Sequence, residues 1–125
     1  MPPTVPTPPY SRLLAATSHL DTPFALIDEE ALWANAADLT RRAGGVPVRL
    51  ATKSIRVRSI VKNALTLGGF RGVMAYSLAE AVWLADQGVD DVLVAYPSVD
   101  RSAYAELVRD EPRLAAITIM VDSLE

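Results

Sequence analysis

Val48-Arg49-Leu50-Ala51-Thr52-Lys53 is the length of a strand, and a period of two sorts its residues onto two faces. Val48, Leu50 and Thr52 suit a face packed on helices. Arg49, Ala51 and Lys53 share the other. Four further runs have the same character: Phe24-Ala-Leu-Ile-Asp28, Gly72-Val-Met-Ala-Tyr76, Asp91-Val-Leu-Val-Ala-Tyr96 and Ala116-Ile-Thr-Ile-Met-Val-Asp122. Most are rich in valine and isoleucine. Their starts recur about every 20–25 residues, the period of one βα unit.

Helical patterns fill the gaps. Leu32, Ala36, Leu39 and Ala43 fall on one helix face, and Asp28 can cap that helix. A second helix runs from about Val57 to Leu67 and stops at Gly68-Gly69. Ser77-Leu-Ala-Glu80 has the form of a capping box, followed by Leu78, Val82, Ala85 and Val89 on one face and a stop at Gly88. Asp100 can cap a helix carrying Tyr104, Leu107 and Val108, with Pro112 after its end. Tyr10 to Leu20 holds a first turn or helix.

Strands alternating with helices define an α/β protein with a parallel sheet. An open doubly wound sheet that binds nucleotides wants a glycine-rich turn after its first strand. Here Gly44-Gly45 and Gly68-Gly69 come before strands, and no GxGxxG is present. The strand ends carry Asp28, Lys53, Tyr76, Tyr96 and Asp122 instead. Barrels collect reactive side chains at the carboxyl ends of several strands. The pattern therefore fits the N-terminal half of a (β/α)8 barrel better than an open sheet: four βα units plus a fifth strand, over residues 21–125. A complete barrel takes about 250 residues. The expectation is a truncated chain, with pairing to a second chain as the alternative.

Composition narrows the function classes. The chain has 125 residues, is 50% hydrophobic and carries a net charge of −3. No basic excess points to nucleic acid, and no apolar run approaches the ~18 residues of a membrane span. Met1 to Pro9 (MPPTVPTPP) reads as a flexible proline-rich leader rather than a signal peptide. There is no cysteine and one histidine, which leaves no thiolate chemistry and no histidine-rich metal site. A cytoplasmic protein is the simplest account.

Lys53 is the leading chemical candidate. On a face directed into a barrel it would be costly to desolvate as a cation. An uncharged amine there could attack an aldehyde, positive charge on Arg49 would lower its pKa, and Ala51 would leave room for a flat ring. The competing reading makes Lys53 the solvated first residue of a loop.

A resemblance bears on that choice. Asp21-Thr-Pro-Phe-Ala-Leu-Ile-Asp28, with Leu32 and Asn35 after it, looks like the opening of the alanine-racemase-type (fold type III) enzymes that use pyridoxal 5'-phosphate (PLP). Arg49-Leu-Ala-Thr-Lys53-Ser54 is similar to their second strand, whose lysine carries the cofactor as a Schiff base. Arg49 and Lys53 match the spacing of the Arg-Pro-His-x-Lys-Thr-His-Lys motif in the D-threonine aldolase and D-serine dehydratase branch. Gly72 to Ser77 with Glu80-Ala81, and Asp91 to Pro97, look like the third and fourth strands. Leu50 and Ala51 depart from the branch's Pro-His, and Ser54-Ile55-Arg56 from its Thr-His-Lys.

The resemblance implies PLP as cofactor, bound by Lys53, Arg49 and Tyr76, with Lys53 catalytic and no metal ligands in this stretch. It implies a parent enzyme, homodimeric, acting on a small amino acid as a lyase, deaminase or aldolase. The 125-residue chain alone is expected to be inactive. The alternatives are a barrel that binds PLP without turning over substrate, as PLP-homeostasis proteins do, and an inactive remnant. Tyr96 reads as a strand-end tyrosine with a buried ring. Asp28 serves equally as a helix cap, His19 as a loop residue, and Trp33 and Trp83 as packing residues.

Overall fold

The structure is a computed structural model that describes residues 9–123; all of the proline-rich leader except Pro9 lies outside them. The chain divides into two compact units, Met1–Gly44 and Gly45–Glu125.

In the first unit, α1 spans Tyr10–Thr17 and α2 spans Glu29–Ala43. The Asp28 carboxylate caps α2 by accepting from the Ala31 amide at 3.0 Å. Glu29 and Glu30 in its first turn and Arg41 and Arg42 in its last both complement the helix dipole. Gly44 ends it in the left-handed region at φ 59°.

Phe24–Asp28, expected as the first strand, is not one. It makes no ladder to any strand of the described residues, and Phe24, Leu26 and Ile27 are exposed. Apolar content makes a segment competent to be a strand, but the ladder comes from a neighbour. The sheet therefore has four strands, not five.

The second unit contains that sheet. Its strands are β1 (Val48–Ala51), β2 (Phe70–Ala75), β3 (Val92–Val94) and β4 (Ile117–Ile119), all parallel and in the order β1-β2-β3-β4. Between them lie α3 (Arg58–Leu65), α4 (Leu78–Asp86), α5 (Arg101–Leu107) and α6 (Glu111–Ala116). Val73, Ala75, Val92, Val94 and Ile117 point to one face and form a single core with Val61 of α3, Leu78, Ala81 and Leu84 of α4, and Ala103 and Leu107 of α5. Burying each large side chain of this set contributes about 1.5–3 kcal/mol. The opposite face carries the registered row Ala51, Met74, Leu93 and Thr118, none of it fully buried.

Local chemistry explains the helix boundaries. The Ser77 hydroxyl accepts from the Glu80 amide at 3.2 Å, and Glu80 Oε2 accepts from the Tyr76 amide at 2.8 Å. The capping box thus reaches one residue further back than its usual form. Asp100 Oδ1 accepts from the Ala103 amide at 3.0 Å. Pro112 follows the end of α5, as expected, but it also belongs to the next helix. It sits in the first turn of α6, where a missing N–H costs nothing. Arg113 of α6 then clamps α4 with two bonds to Asp86, at 2.8 and 3.1 Å, and donates to the Glu106 carbonyl of α5 at 2.8 Å.

Among the described residues, no helix is long and apolar enough to cross a membrane.

Candidate functional site

The carboxyl ends of β1, β2 and β3 carry the chemistry. After Ala51 the chain tightens into a 3₁₀ turn, Thr52–Ser54. Thr52 is buried, and its hydroxyl donates to the Met74 carbonyl at 3.2 Å. That bond fastens the turn to β2 and leaves Lys53 beyond the end of the strand, exposed. The expected strand position of Lys53, pointing inward and stripped of water, is therefore not found.

Lys53 Nζ donates to the Tyr96 hydroxyl at 2.8 Å and lies 5.5 Å from the centroid of the same ring. Tyr96 stands two residues past the end of β3 and Tyr76 one past the end of β2. Their rings meet edge to face, centroids 5.9 Å apart. The Arg56 guanidinium lies over the Tyr76 ring, 5.9 Å from its centroid. A lysine, two phenols and an arginine thus stand in a row at the carboxyl edge of the sheet.

The electrostatics run opposite to expectation. The Tyr96 hydroxyl, accepting from the ammonium, raises the Lys53 pKa above the ordinary 10.5, and the electrostatic influence of Tyr96 and Tyr76 acts the same way. Arg49 does not lower it. Its guanidinium bonds Asp91 at 2.5 and 3.1 Å and the Asp91 and Val73 carbonyls at 3.3 Å each. Asp91 immediately precedes β3, so Arg49 serves the amino end of the sheet and Lys53 the carboxyl end. Asp91 and Tyr96 are five positions apart along extended chain, about 16 Å. The charge of Arg49 is both neutralised and remote.

Lys53 and Tyr76, two of the three expected cofactor-binding residues, are brought together with Tyr96 between them; Arg49 is not joined to them. Tyr96 is the residue the sequence reading passed over. Its signal is a shared ending: Ala75-Tyr76 and Ala95-Tyr96 close adjacent parallel strands, so their rings reach the same edge. Asp28 is spent as a helix cap, and His19 and Asp122 are exposed.

Beside this row, between α3 and α4, opens a cleft of about 400 Å³. Tyr76 and Arg56 line it, and so does Trp83 of α4. Trp83 is 48% exposed, so it lines a cavity rather than filling the core. Among the described residues no group of three or more His, Asp or Glu side chains is arranged to hold a metal ion.

Comparison with known protein families, curated proteins and solved structures found no match.

Proposed function

We propose that the chain is an arc of a (β/α)8 barrel that binds PLP at Lys53, as part of an enzyme acting on amino acids. What supports the barrel is the order of the strands. A doubly wound sheet reverses direction at a switch point and carries helices on both faces. This sheet advances β1 to β4 without reversal, and α3, α4 and α5 contribute to one core on one face.

The observation that carries the cofactor reading is the Lys53–Tyr96–Tyr76 row at the carboxyl strand ends. Its residues fit the group. Lys53 offers an amine that solvent and an aldehyde can reach, and Tyr76 and Tyr96 offer aromatic surface to a flat heterocycle. PLP, when bound, withdraws electrons from the bonds at a substrate's Cα. Lys53 is the attachment point and, once released, a base within reach of that carbon. For either task Nζ must first shed a proton. Tyr96 holds that proton through the 2.8 Å bond, and its hydroxyl is placed to take part in the transfer. Tyr76 keeps the Tyr96 ring in place from the side. Arg49 is the anchor of the strand that presents Lys53.

The same row also supports a second reading, a barrel that binds PLP without turning over substrate: attachment needs only the exposed Lys53 amine and the two rings beside it.

The test is borohydride reduction of the protein with PLP, followed by mass mapping. The expected result is one modified peptide, carrying the adduct on Lys53 and absent from Lys53→Ala. Adducts spread over Lys53 and Lys62 alike would sink the assignment. Consumption of D-serine or D-threonine by the loaded protein separates enzyme from carrier.

A further inference from the structure

We propose that the cleft between α3 and α4 binds a carboxylate carried on an apolar, ring-sized body, with Arg56 as the residue that holds the carboxylate. The cleft adjoins the Lys53 row through Tyr76 but does not include Lys53, and the inference does not depend on PLP.

The volume, about 400 Å³, lies in the range of small-molecule sites, roughly 300–1,000 Å³. Three charged residues line it, and two are already engaged. Arg58 Nη1 donates to Gln87 Oε1 at 2.5 Å, and Glu80 Oε2 accepts from the Tyr76 amide. Arg56 is left over. Among the described residues it forms no hydrogen bond and no ion pair, and its one partner is the face of Tyr76. A guanidinium lying against a ring still has its N–H donors available for an in-plane acceptor. A carboxylate is the acceptor that meets such a fork with two parallel bonds.

The rest of the wall selects the body. Trp83 and Tyr76 are 48% and 57% exposed, and Ile55 and Val57 complete an apolar lining. A ring entering here covers aromatic surface that water otherwise holds apart. The Glu80 carboxylate shares the cleft. It tolerates a single negative charge beside Arg56 better than the two of a phosphate, which argues for a carboxylate.

The chain has two tryptophans, so Trp33→Phe leaves Trp83 as a reporter inside the cleft. Its fluorescence is titrated with 3-phenylpropionate, with the neutral 3-phenylpropionamide, and with inorganic phosphate. Amide chemical shifts of residues 55–57 and 76–80 read the same titrations in the unsubstituted protein. The acid is expected to saturate with a Kd of about 1 mM, typical of a small ligand in an open cleft. The amide should bind about tenfold more weakly, the value of one charge-assisted pair. Arg56→Gln should remove that difference while leaving the circular dichroism spectrum unchanged. Phosphate should not saturate over the same range. Equal binding of acid and amide, a preference that survives Arg56→Gln, or phosphate binding as tight as that of the acid would each overturn the proposal.

Discussion

Lys53 illustrates how one hydrogen bond sets the working state of an amine. The ammonium donates to the Tyr96 hydroxyl, which stabilises the charged form and raises the pKa. A group whose folded pKa is raised contributes its stabilising contact below the unfolded value, near 10.5, and loses it as the pH climbs through the folded value. The contact is therefore fully present at neutral pH and fails only in alkali. Tyr96→Phe removes the acceptor, so the pKa of Lys53 should fall back. At any fixed pH below it, more neutral amine is then available, and addition of Lys53 to an aldehyde should become faster. The ¹³C shift of reductively methylated Lys53, followed against pH, checks the direction; an unchanged midpoint would mean that Tyr96 does not hold the proton. The candidate lysine was legible in the sequence as the close of the run that begins at Val48, although the strand itself stops at Ala51. Its partner was not. Tyr96 lies 43 positions away, and the 3₁₀ turn that swings Lys53 toward it depends on the tertiary bond from Thr52 to Met74.

At the scale of the strand, Gly72 is the element that lets Arg49 work. Registration of β1 on β2 slips between Val48↔Phe70 and Leu50↔Val73, so β2 holds one extra residue there. Gly72 takes up that bulge at φ +68°. A Cβ at this position would stand 2.6 Å from Asp91 Cγ and 2.7 Å from the Asp91 carbonyl oxygen. The side chain could yield; the backbone oxygen could not. Gly72→Ala should cost about 2–4 kcal/mol, combining a left-handed conformation with overpacking. Gly68→Ala, where nothing lies within 4 Å and φ is not positive, should stay within about 0.5 kcal/mol of the parent. Urea denaturation of the two variants tests the contrast, and equal effects would show that the bulge is not what fixes the strand. Caps were readable from local pattern, because Asp28, Ser77 and Asp100 bond amides three residues on. The bulge was not, since it exists only between two strands. The same holds for α6: Pro112 reads as a terminator until Arg113 is seen clamping α4 and α5.

For the whole sheet, the alternation of strand and helix was legible as a period in the sequence. The number of strands was not. Phe24–Asp28 has the composition of a strand and no ladder, because composition cannot supply a neighbour. What remains is four parallel strands with β1 and β4 at the edges and β2 and β3 paired on both sides. In a parallel sheet each strand sends its amides alternately left and right. Half the amides of an edge strand therefore have no ladder partner, whereas Val73, Met74 and the residues of β3 have strand neighbours on both sides. Native-state hydrogen exchange should reflect this. The amides of Val73 to Ala75 and Val92 to Val94 should open only near global unfolding, and those of β1 that face outward should exchange at least about tenfold faster. The helix-covered residues of β2 and β3 are also among the most deeply buried of the described residues, so packing and bonding point the same way. Uniform protection across β1 would mean that its outer edge is paired in solution, and the four-stranded sheet would have to be redrawn as part of a larger one.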